Sequence, residues 1–112
     1  MASPGKTLNR LHSLETLYRK GYQSDMLDQS LEKIVSLELN DAQRECADLE
    51  TRLQGFEAQY HLSSQEFYRK FQASDLEDSA DVVEWSVFYE MWLSVKERLE
   101  VFQTIAYPCP DQ

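Results

Sequence analysis

Residues that interrupt helices are scarce in this sequence: 3 glycines and 3 prolines among 112 residues. That scarcity argues against many short strands joined by turns and predicts long helices, and the length suits one domain. Cysteine is also scarce. Cys46 sits inside a helical pattern and Cys109 in the tail, too few for a disulfide framework, so a reducing compartment is the simpler expectation and a Cys46–Cys109 bridge the alternative. No CxxC, no glycine-rich phosphate loop and no Cys/His nucleophile pair is present, and no serine-rich piece has a base beside it. The chain is therefore expected not to be an enzyme. It also lacks a basic leader followed by an apolar run, and any stretch near the ~20 apolar residues that cross a bilayer, which predicts a soluble, cytoplasmic protein without membrane contact.

Positive charge is the remaining shortage. Eleven Lys and Arg against 20 Asp and Glu leave a net charge of −9, which repels a phosphate backbone and disfavours nucleic acid as a partner. The imbalance is local. Residues 1–24 hold Lys6, Arg10, Arg19 and Lys20 against Glu15, or +3, so residues 25–112 carry −12. Such an acidic body suits a basic protein partner.

Apolar periodicity is abundant. Leu8, Leu11, Leu14 and Leu17 recur every third residue ahead of Gly21, predicting a short helix over 7–20 that stops at the glycine. Ser24 then caps a new helix whose first turn carries Asp25 and Asp28. From Val35 the steps alternate between four and three through Leu39, Ala42, Cys46, Leu49, Leu53, Phe56 and Tyr60. This is a heptad seam, and the helix is expected over 25–60. Ser63 and Glu66 form a capping box for a short helix over 64–72. After the polar stretch QASDLEDSAD, capped by Ser79 or Asp81, a second seam runs through Trp85, Phe88, Trp92, Val95, Leu99 and Phe102 in a helix over 81–105, leaving 106–112 as a tail. Two heptad helices joined by a turn predict an all-α, antiparallel coiled-coil-like helical hairpin with short N-terminal and connecting helices.

The hairpin is uneven. At ~1.5 Å per residue the long helix spans about 54 Å and its partner about 37 Å, so the N-terminal end with Leu27, Leu31, Ile34 and Leu37 overhangs. Helix 1 offers that end only a narrow leucine stripe, and an exposed remainder would serve a dimer or a protein partner.

The richest motif is EWSVFYEMW, residues 84–92, with Trp85, Phe88, Tyr89 and Trp92 at i, i+3, i+4 and i+7. One helix face continuous with the seam reads as core, and base-stacking platforms carry basic rather than acidic neighbours. Buried indoles seek acceptors, expected here from the acidic loop. That loop holds Asp75, Glu77, Asp78, Asp81 and Glu84 without a positive charge. It lacks the glycine and ligand spacing of an EF-hand, so it is either a solvated loop or a docking point for a basic partner. No Glu-x-x-His pair exists, since Asn9 and Ala58 precede His12 and His61 by three. No metal or cofactor is expected, and His61 reads as a surface or capping residue.

Through LYRKGYQSDMLDQSLEKIVSLE, SSQEFYRKF and DVVEWSVFYEMW, the chain resembles, over about residues 8–102, a family of small prokaryotic helical antitoxins of toxin–antitoxin systems. Members often carry Gly after the Ala of the loop and a more hydrophobic residue before EW, where this chain has Ser74 and Val83. The resemblance implies neutralisation of a toxin by binding. The expected site is then Leu27, Leu31 and Ile34 on the overhang with Asp75, Glu77, Asp78 and Asp81 on the loop. The alternative is a self-associating structural or assembly factor with no toxin partner. A DNA-binding autorepressor using the basic N-terminal helix is a third reading, which the −12 body opposes.

Overall fold

Three serines and three left-handed residues set the helix ends. Ser24 Oγ accepts the Leu27 amide at 3.2 Å, Ser63 Oγ the Glu66 amide at 3.1 Å and Ser79 Oγ the Val82 amide at 3.2 Å. Each is the hydroxyl-to-N3 bond that satisfies an orphan donor at a helix start. Of the two caps expected for the last helix, Ser79 takes the role. At the other ends Gly21, His61 and Ser74 have φ of 101°, 53° and 61°. The residues after them close six-to-one bonds, Tyr22 to Leu17 at 3.1 Å, Leu62 to Glu57 at 3.3 Å and Asp75 to Lys70 at 3.0 Å. This is the Schellman ending, which favours glycine at the left-handed position.

The computed structural model describes residues 4–106, and among them there are four helices and no strand: α1 Pro4–Arg19, α2 Asp25–Tyr60, α3 Ser64–Gln72 and α4 Ala80–Ala106. The protein is all-α, and α2 and α4 pack as a helical hairpin. Cys109 and the tail expected after residue 105 lie outside the described residues, apart from Ala106, which closes α4. No helix is long and apolar enough among the described residues to cross a membrane.

The chain divides into two units, Met1–Leu31 and Glu32–Gln112. In the first, α1 and the opening of α2 line a groove with Leu11, Leu14, Tyr18, Leu27 and Leu31. Tyr18 fixes the turn between them. Its hydroxyl donates to the Asp28 carboxylate at 2.7 Å and accepts the Ser24 amide at 3.3 Å. No residue of α1 is fully buried.

In the second unit the two seams meet. Leu39, Ala42, Cys46, Leu49 and Leu53 of α2 and Trp85 and Val95 of α4 are buried. Cross-pairs give the direction: Arg98 reaches Glu45, Trp92 reaches Glu50, Phe88 lies against Phe56, and Asp81 accepts from Tyr60. Numbers rise on one helix as they fall on the other, so the helices are antiparallel and Ala106 lies level with about residue 37 of α2. Ile34 and Leu37 at that open end stay exposed. At the closed end α3 folds over α4. Phe67 stacks on Trp85 with centroids 3.8 Å apart and planes 6° from parallel, and Phe56 stacks on Trp85 at 5.5 Å. Leu53, Phe67 and Trp85 form one cluster, and Cys46, Leu49 and Val95 a second. Phe88 and Trp92 pack against both.

Ser74 tests this account of the ends. Its left-handed backbone costs a residue with a Cβ about 1–2 kcal/mol, a strain glycine escapes at an entropic cost of about 0.5–1 kcal/mol. Ser74→Gly is therefore expected to stabilise the protein by about 0.5–1 kcal/mol in urea unfolding, and an unchanged or lower midpoint would contradict the strain.

Candidate functional site

Seven positions apart on α2, Glu50 and Glu57 flank the seam residue Leu53 on one helix face. The corner made by α2, the start of α3 and α4 turns this face into a cleft of about 310 Å³. Leu53 forms its buried floor, Tyr89 and Trp92 are half-buried walls, and Ser63, Ser64 and Gln65 close one end. Both carboxylates are held. Glu57 accepts the Ser64 amide at 2.8 Å, at the positive end of α3. Glu50 accepts the Trp92 indole N–H at 3.1 Å. An ionised carboxylate has about four lone-pair positions, so each keeps acceptor capacity toward the cleft. Lys96 places its ammonium 4.7 Å from the Trp92 ring centroid, a cation–π contact.

Tyrosine hydroxyls use other acids structurally. Tyr60 donates to Asp81, and Tyr68 to Glu90 at 2.8 Å. These bonds to carboxylates raise the pKa of both tyrosines above the usual 10.0. A raised folded value means the stabilisation is complete below pH 10 and lost as pH climbs through it. The thermal midpoint is thus expected to fall above pH 10, and to fall less in Tyr68→Phe; equal slopes would discount the Tyr68–Glu90 bond. Cys46 is different. Burial, reinforced by the nearby Glu50 charge, pushes its thiol upward, which keeps it protonated and unreactive, its Sγ 3.8 Å from Glu50.

The residues expected to bind a partner are distributed along the chain. Leu27 is half-buried and Leu31 exposed in the α1–α2 groove of the first unit. Ile34 is exposed at the open end of the second. Asp75, Glu77 and Asp78 are exposed on the loop after α3, with no ion-pair partner among the described residues, while Asp81 is half-buried and bonded to Tyr60. Ile34 and Tyr60 are 26 residues apart on α2, about 39 Å, so the acids and Ile34 belong to opposite ends of the hairpin. Sequence reasoning missed Glu50, Glu57, Ser64 and Gln65. The available signal was the i, i+7 spacing of two glutamates bordering the seam at Leu49, Leu53 and Phe56.

Among the described residues no three His, Cys, Asp or Glu side chains are grouped to hold a metal ion. No family model, curated protein or solved structure matches this chain.

Proposed function

We propose that the chain is a non-catalytic protein-interaction module of antitoxin type, which neutralises a small basic partner by binding it. The observation that supports this best is the cleft at the corner of α2, α3 and α4. It joins an apolar floor, two aromatic walls and two oriented carboxylates, the composition of an interface pocket that takes an anchor side chain. Residues 32–112 carry 17 acidic and 7 basic side chains, a net −10, and such a field accelerates and selects a basic partner. The exposed acids Asp75, Glu77 and Asp78 extend it. Binding of this kind needs no catalytic group.

The test is co-expression with an adjacent small reading frame. The expected result is a product toxic alone and harmless beside this chain; the absence of any such neighbour, or toxicity unaffected by co-expression, would refute the reading. In the complex, Glu50→Gln with Glu57→Gln keeps an oxygen to accept from Trp92 and Ser64 but removes both charges. Two partly exposed charges are worth roughly 2- to 30-fold in affinity, to be measured by calorimetry at low salt, and unchanged affinity would remove the cleft from the interface.

A further inference from the structure

α4 is apolar on more than the side it turns to α2. At about 100° per residue, its seam residues occupy one arc, and Val83, Val87, Met91, Val101 and Ile105 occupy a second, about 80° wide and centred about 110° further round. These five are 43–54% exposed. A helix apolar on two faces suits two neighbours, and the outer stripe, about 33 Å long, stays exposed among the described residues.

Four of the five stripe residues are symmetric about Ser94; the fifth, Met91, lies three before it and is matched by Glu97. Val83 and Ile105 lie eleven residues to either side of it, Val87 and Val101 seven, and Glu90 and Arg98 four. When two identical helices cross antiparallel at Ser94, each residue meets the one equidistant from the crossing on the other chain. Valine then faces isoleucine, valine faces valine, the small Ser94 lies at the closest approach, and Glu90 faces Arg98 twice. Two-fold interfaces require this self-complementarity.

We propose that the outer face of α4 is a homodimer interface, occupied by a second copy of the chain in antiparallel orientation about Ser94. Arg98 is available for it. Its side chain is 45% exposed and bonded to Glu45 at 2.7 Å, and a guanidinium has five donors. Glu90 is exposed and has acceptor capacity beyond the Tyr68 hydroxyl. Arg98 in mid-stripe also opposes a basic partner on this face, so the dimer is independent of the cleft and of the function proposed for it.

The isolated chain suffices for the test. One helix face per chain is at the small end of stable interfaces, so sedimentation should show the mass rising from 13.1 kDa toward twice that value between about 10 and 500 μM. Glu90→Arg and Arg98→Glu each place like charges at both contacts of the dimer and are expected to remain monomeric. An equimolar mixture of the two variants opposes arginine to glutamate at both contacts and is expected to regain the dimer. Circular dichroism checks that both variants remain folded, and Val87→Ser with Val101→Ser, two exposed positions, should abolish dimerisation without a charge change. A monomeric wild type, a variant that still dimerises, or a mixture of folded variants that stays monomeric would overturn the proposal.

Discussion

Trp85→Ala is expected to destabilise the protein by about 3–5 kcal/mol, a large fraction of the 5–15 kcal/mol that holds a typical domain folded. The indole is 2% exposed and lies face to face with Phe67 and Phe56. Rings from two other helices, Phe56 and Tyr60 of α2 and Phe67 of α3, enclose it, so truncation opens a cavity that no single helix can close by shifting. Its N–H donates to Ser64 Oγ at 2.9 Å in a buried setting, and Ser64→Ala should cost about 1–3 kcal/mol by leaving that donor unpaired. In a Trp85→Phe background the same serine change should cost much less. Urea unfolding followed by circular dichroism measures the wild type and all four variants. A loss below 1 kcal/mol for Trp85→Ala would show that the closed end is not the main source of stability.

Leu49→Ala should cost about 2–5 kcal/mol through the other cluster. Leu49 is 4% exposed and packs with Cys46 and Val95. Phe88 and Trp92 lie against both clusters, so a cavity at Leu49 is communicated to the aromatic end. The variant is expected to unfold in a single transition, with tryptophan fluorescence and circular dichroism giving the same lowered midpoint. The double variant Leu49→Ala with Trp85→Ala should depart from additivity, because the two sites share partners. Separate transitions by the two probes would mean that the clusters melt independently.

The helices were legible because each is specified by local chemistry. The seam from Val35 to Phe56 is the buried and half-buried stripe of α2, and Ser24 and Ser63 cap the helices assigned to them. Tyr60, read as the end of that seam, is 45% exposed, since its ring lies at the rim and its hydroxyl turns to Asp81. The left-handed endings at His61 and Ser74 were not legible, because neither residue is a glycine and the conformation is imposed by the helices on either side. The indole acceptors were expected from the acidic loop but come from Ser64 at the start of α3 and Glu50 on α2. That choice depends on α3 lying over α4, which no spacing encodes. For the same reason Glu50 and Glu57 look like an ordinary charged border of a seam until α3 closes one end of the space between them.

The concentration of rings at one end also orders events in time. Tyr60 and Asp81 meet across 21 residues of chain, whereas Glu45 and Arg98 meet across 53. Loop-closure entropy makes the second contact about 0.8 kcal/mol harder to form first. Folding should therefore begin where Phe56, Phe67 and Trp85 stack and zip outward along the two seams. The last segment to be captured, and the first released when the hairpin frays, is the stretch of α2 near Val35.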